Sequence, residues 1–212
     1  MMTATKRIRV LLVDDHFVVR TGLATSLGLE EDIDVVGSAG TVDQALDICR
    51  KSAPDVVVMD WRMPGRNGVQ GTLALREISD AIRVVMFSAF DGEEDIYSAV
   101  QAGASGYLTK AANRLELLQA IRAVHSGGSY YPPEVASKLA SRIQRQDITP
   151  RELDALRMIL RGLSNKEIAS ELGVSEATVK LHIAHLMTKL GARDRTHAAS
   201  LALRRGIVHL DN

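Results

Sequence analysis

Cysteine is nearly absent from this 212-residue chain, where Cys49 stands alone. That excludes an internal disulfide and any cysteine cluster for metal, and its place in ALDICR marks a small core filler. Long hydrophobic runs are absent too: no apolar stretch approaches the ~20 residues of a membrane-spanning helix. The start, MMTATKRIRVLLVDD, leads directly into a strand pattern with no small-residue cleavage site, so a cytoplasmic chain with no membrane contact is expected. Net charge is missing as well, with 26 Lys and Arg against 26 Asp and Glu. The cancellation is between halves. Residues 1–128 carry 13 basic and 17 acidic groups, net −4, and residues 129–212 carry 13 and 9, net +4. Two domains with different partners follow, the basic one a candidate for nucleic acid. What is present is apolar substance: 46% hydrophobic residues suffice for one large or two modest cores.

From residue 7 to about 125, β-rich runs alternate with amphipathic helical stretches. The runs are RIRVLLVDD, IDVVGSA, DVVVMD, IRVVMFSA and SGYLTK; the stretches between and after them include VVRTGLATSLG, VDQALDICRKS, EDIYSAVQAG and RLELLQAIRAVHSGG. Such alternation implies a parallel sheet with right-handed crossovers, here a five-stranded doubly wound, flavodoxin-like α/β fold of order 2-1-3-4-5. Residues 126–147 hold Gly127, Gly128, Pro132 and Pro133 before a short polar helical pattern, and read as a partly helical linker. From 148 to 210 only helical patterns appear. Thr149–Pro150–Glu152 and Ser164–Glu167 are capping boxes, Ser175 is a third N-cap, and helices are expected near 150–161, 165–171, 175–190 and 194–205.

The apolar strand DVVVMD ends on Asp60, and an acid closing such a strand stands at the crevice where open α/β sheets bind ligands. An Asp that merely opens a turn is the other reading of a single rim acid. The first strand, however, also ends in acids, Asp14 and Asp15, and strands 1 and 3 are neighbours in this order, about 5 Å apart. Three converging carboxylates repel one another unless a divalent cation joins them, and Mg²⁺, which takes one or two carboxylates, waters and a phosphate, is the expected ion. The fourth strand ends with Ser88 and the fifth with Lys110, a hydroxyl and an ammonium suited to phosphoryl oxygens. Asp60 thus reads as a nucleophile that accepts a phosphoryl group.

With VDD at 13–15, MDWRMPGRNG at 59–68, FSA at 87–89 and GYLTK at 106–110, residues 7–125 resemble the receiver domain of bacterial two-component response regulators. The resemblance makes Asp60 the phosphoacceptor, Asp14 and Asp15 the metal-binding acids, and the backbone carbonyl of Arg62 a further Mg²⁺ ligand. It also makes Ser88 the switch hydroxyl, Tyr107 the switch aromatic and Lys110 the phosphate-pairing lysine, and it implies a histidine kinase as phosphoryl donor. From the residues alone Tyr107 reads equally as a packed aromatic, and Trp61, bulkier than the aliphatic residue frequent after the acceptor, as a packing residue. Ala111 stands where many receivers have proline.

In SNKEIASELGVSEATVKLHIAHLMTKLG, residues 164–191, two helices are joined by a turn at Gly173. Val179, Ile183, Leu186 and Leu190 form one apolar face, the core side. Lys180, Leu181, Ala184 and His185 lie opposite, with Thr178 near the helix start, a face suited to the major groove; Lys166 is a phosphate candidate. Residues 148–208 resemble the LuxR-type helix-turn-helix effector domain, and the whole chain a NarL/FixJ-type response regulator. That match places Lys180, Leu181 and Ala184 toward bases and Ser175 and Thr178 toward phosphates. It implies transcriptional control through double-stranded promoter DNA, with the helix DRTHAASLALRR pairing two subunits as a homodimer. His182 and His185, three apart, lack further nearby ligands for a metal. The expected function is therefore a phosphorylation-regulated transcription regulator and not a turnover enzyme. The alternatives are a phosphorylation-independent regulator and an aspartyl-phosphate phosphotransferase; the latter lacks a second acid two residues after Asp60, where Arg62 stands.

Overall fold

The computed structural model describes residues 7–209, which divide into two compact units, 7–91 with 96–139 and 92–95 with 140–209. In the first, strands β1 (Ile8–Val13), β2 (Ile33–Ala39), β3 (Val56–Met59), β4 (Arg83–Ser88) and β5 (Gly106–Thr109) form one parallel sheet of order β2-β1-β3-β4-β5. This is the expected order. Every side chain of β3 is buried, which is why Val56, Val57, Val58 and Met59 form a continuous apolar run without alternation. Helices α1 (Phe17–Leu27) and α5 (Arg114–His125) cover one face, where Leu27, Leu117, Ile121 and Val124 pack on Val10, Leu12 and Val58. Helices α2 (Val42–Ser52), α3 (Gly68–Ile78) and α4 (Glu93–Gln101) follow β2, β3 and β4. Val42, Leu46, Leu75 and Ile96 from these helices pack on Leu11, Val57 and Met86 on the other face.

The sequence pattern did not single out α3, whose stretch GVQGTLALREI contains two glycines that weaken a helical pattern. A capping box starts it: the Asn67 side chain accepts from the Gln70 N–H at 2.9 Å and the Gln70 side chain accepts from the Asn67 N–H at 3.0 Å. Gly68 is required there, because a Cβ would run into the carbonyl oxygen of Asp60. The turn that carries Asp60 is therefore packed directly against the first residue of α3.

Within residues 126–147, Tyr130 forms a bridge to Gly106 beside β5, its N–H donating to Ser105 O at 3.0 Å and its carbonyl accepting from Tyr107 N–H at 3.1 Å. Helix α6 (Pro133–Ile143) follows. Tyr131, Val135 and Leu139 join the core that contains Ile96, Ala99, Ala104 and Tyr107.

The second unit is helical: α7 (Pro150–Leu160), α8 (Asn165–Leu172), α9 (Glu176–Leu190) and α10 (Arg195–Arg204). Leu156, Ile159, Ile168, Val179, Leu186, Leu190, Ala198 and Leu201 make its core. Both expected capping boxes form, at Thr149–Glu152 and Ser164–Glu167, and α8 ends on Gly173 with φ +65, a left-handed turn. Glu152 has a second part. Its carboxylate accepts from Lys189 Nζ at 2.7 Å, clamping the start of α7 to the end of α9. The expected C-terminal boundary at residue 210 lies outside the described residues.

Candidate functional site

The strand ends meet as the topology requires. Asp60 N–H donates to Val13 O at 2.7 Å and Asp14 N–H to Ala39 O at 3.1 Å, so the sheet's own hydrogen bonding fixes both acids at one rim. Each is nearly enclosed, with Asp60 4% and Asp14 3% exposed, while Asp15 is exposed. Lys110, beyond β5, bridges the two inner acids: its Nζ lies 2.7 Å from Asp60 Oδ2 and 2.6 Å from Asp14 Oδ2. One ammonium is shared by two buried carboxylates and by itself balances only one of their charges. Burial pushes the Asp60 carboxyl above the usual carboxylate range against the pull of Lys110. Burial opposes the charge on Lys110, but hydrogen bonds to Asp14 and Asp60 raise its pKa above the ordinary value.

Ligand atoms of Asp14, Asp15, His16 and Asp60 lie within 4.8 Å of one another. Three carboxylates at that spacing fit a divalent cation with oxygen ligands. Beside them opens a cavity of about 410 Å³ lined by Asp15, His16, Asp60, Arg62, Phe90 and Lys110 among others.

Ser88 is fully buried, and its Oγ accepts the Phe90 N–H at 3.0 Å. Tyr107 is likewise fully buried, and its hydroxyl donates to Phe90 O at 2.6 Å. Both residues assigned switch roles thus hold the same backbone unit. Tyr107, to which the resemblance gives the switch role, is already on the inside in this structure. The Phe90 ring packs at 5.4 Å and 53° on Trp61, and the Arg62 guanidinium carbon sits 5.9 Å from the Phe90 centroid.

His16 and Phe90 are site residues that the pattern did not identify. The signal for His16 was its place directly after the acid pair; Phe90 had none beyond standing two residues past Ser88.

In the second unit, α9 buries Val179, Leu186 and Leu190 and presents Lys180, Leu181, Ala184 and His185 outward, with Leu181 54% exposed. Ser175 caps α9, its Oγ accepting from Thr178 N–H at 3.1 Å and lying 2.8 Å from Thr178 Oγ1. Lys166 is exposed in the first turn of α8. Lys180 pairs with Glu176 at 3.2 Å, an exposed contact worth little and readily exchanged.

Residues 10–122 match the response regulator receiver domain family, and residues 146–202 the luxR family of bacterial regulatory proteins. The chain is a response regulator. It is 36% identical to the transcriptional regulatory protein LnrK of Bacillus subtilis over 94% of its own length and 98% of that protein's. It is also 37% identical to the nitrate/nitrite response regulator NarL of Escherichia coli, over 90% of this chain and 92% of that protein. Among solved structures, the response regulator ChrA of a heme-sensing two-component system is 40% identical, with 95% and 99% of the two chains covered and a TM-score of 0.57. This response regulator accordingly joins a receiver to a LuxR-type DNA-binding domain, in a family of transcription regulators, and has the five-stranded sheet and helical second domain that its sequence implied. No described helix is long and apolar enough to cross a membrane.

Proposed function

We propose that this response regulator accepts a phosphoryl group on Asp60 from a histidine kinase and, once modified, dimerises on promoter DNA to control transcription. The observation that supports it most is Lys110 shared between Asp60 and Asp14, a cation poised at the oxygen that would attack. In the transfer, an Asp60 carboxylate oxygen attacks phosphorus, the phosphorus–nitrogen bond of the donor phosphohistidine breaks, and an acyl phosphate forms as the imidazole departs. Asp14, Asp15, Asp60 and the backbone carbonyl of Arg62 would hold Mg²⁺, which neutralises developing charge on the transferred group. Lys110 pairs with one phosphoryl oxygen and Ser88 Oγ donates to another. Turning Ser88 toward the phosphoryl group draws its oxygen away from Phe90 N–H, while Tyr107 holds Phe90 O, so the segment after β4 is re-set.

In the second domain, Lys180, Leu181, Ala184 and His185 face base edges and Lys166, Ser175 and Thr178 face phosphates, with α10 at the homodimer contact. Residues 7–125 act as receiver, 126–147 as linker and 148–210 as DNA-binding domain of a cytoplasmic protein that turns over no substrate. The test is incubation with Mg²⁺ and a small acyl phosphate donor, following the added phosphoryl mass and oligomeric mass together in wild type and Asp60→Asn. A modified, dimeric wild type beside an unmodified monomeric variant is expected; modification that persists in the variant would refute Asp60 as acceptor.

A further inference from the structure

His16 is the N-cap residue before α1, yet its side chain makes no capping hydrogen bond to that helix. Only its backbone serves there, the N–H donating to Asp14 Oδ1 at 2.8 Å. The ring turns instead onto the acid cluster, with Nδ1 2.7 Å from Asp15 Oδ1 and 3.2 Å from Asp14 Oδ1, and it lines the same cavity as Asp60 and Lys110. The ring is exposed, 68% accessible in its side chain, and its direction is set by these two carboxylates rather than by packing. Of the four groups that converge within 4.8 Å, it alone offers nitrogen.

Donor chemistry gives the consequence. Carboxylate and carbonyl oxygens suit Mg²⁺, whereas an imidazole nitrogen adds little for that hard ion and much for Co²⁺, Ni²⁺ or Zn²⁺. We infer that His16 is a nitrogen ligand of the ion held by Asp14, Asp15 and Asp60, and that it biases this receiver toward late first-row divalent cations over Mg²⁺. The inference rests on the metal reading above and concerns which ion the site selects. Binding uses Nδ1, the atom already turned to the acids, with the ion displacing to solvent the proton that Nδ1 shares with Asp15, and leaves Lys110 to the phosphoryl oxygens.

Trp61, the only tryptophan and the neighbour of Asp60, reports occupancy by its fluorescence. The full chain is titrated with Mg²⁺ and with Co²⁺, as wild type, His16→Ala, His16→Gln and Asp15→Asn, after thermal melts without metal show that each variant is folded. The visible absorption of Co²⁺ gives a second readout, sensitive to nitrogen ligation. The expected result is that wild type binds Co²⁺ at least about tenfold more tightly than Mg²⁺. Both His16 variants then lose at least about tenfold for Co²⁺, with a changed Co²⁺ spectrum, and less than about twofold for Mg²⁺. Asp15→Asn weakens both ions. Equal losses for the two ions in the His16 variants, or an unchanged Co²⁺ spectrum, would overturn the role of His16 alone. If wild type bound neither ion, the metal reading itself would fall.

Discussion

Asp60 and Asp14 are both nearly enclosed and share one ammonium, so each residue of the trio sets the cost of the others. The Asp60 carboxyl has its pKa raised mainly by burial, which means that the folded chain holds this proton more tightly than the unfolded chain does. Stability tied to Asp60 is therefore greatest at low pH and is lost as pH rises from the ordinary carboxylate value through the raised one. Asp60→Asn removes that penalty and leaves Lys110 paired with Asp14. Without divalent ions at neutral pH its melting temperature should rise by about 4 °C, for roughly 1 kcal/mol, and the gain should fade toward pH 4. Glu152 behaves oppositely. Its burial is outweighed by Lys189 and the Thr149 cap, which lower its pKa, so its contribution is present above the ordinary value and lost as pH falls through the lowered one. Lys189→Met, which leaves a buried carboxylate without its cation, should cost the second domain about 3 kcal/mol at neutral pH in a denaturant melt, and far less near pH 3. The acids, Ser88 and Lys110 were legible because each closes an apolar strand, where charge has no structural use. His16 and Phe90 were not, because each stands in a loop and no periodicity marks a loop position.

At the scale of elements, all five strands and most helices were legible from period and caps. The exceptions have physical causes. Helix α3 was obscured by Gly68 and Gly71, and Gly68 is there because the Asp60 carbonyl occupies the space of a Cβ. Gly68→Ala should displace the turn carrying Asp60, cost about 2 kcal/mol or more, and slow phosphorylation, measured by melting and by the rate of mass gain. The linker pattern of Gly and Pro concealed a docking segment, since the residues that attach it, Tyr130, Tyr131, Val135 and Leu139, are spaced among polar ones and their partners on β5 and α4 are distant in sequence. Val135 is 1% exposed in the same core as Tyr107, so Val135→Ala should destabilise the first unit by about 1–2 kcal/mol, read from Trp61 fluorescence in a denaturant melt.

Over the whole molecule there are two units with separate cores, and along the sequence the charge that cancels in the total is net −4 before residue 129 and +4 after it. The basic half carries the outward face of α9 and Lys166, so DNA affinity should fall steeply with salt. Lys166→Ala should weaken binding about equally across sequences and reduce the slope of log affinity against log salt by about one per protomer. If Asp60 is the switch, the acidic half controls what the basic half does. The most direct test selects a DNA site from random duplexes with the full chain under phosphorylating conditions, then measures affinity for that site in wild type and Asp60→Asn, each with and without the phosphoryl donor. Phosphorylated wild type should bind about 5- to 150-fold more tightly than unmodified protein, the span of a coupling of 1–3 kcal/mol, while Asp60→Asn should not respond to the donor. Equal affinity of modified and unmodified wild type, or an equal response in Asp60→Asn, would contradict the account.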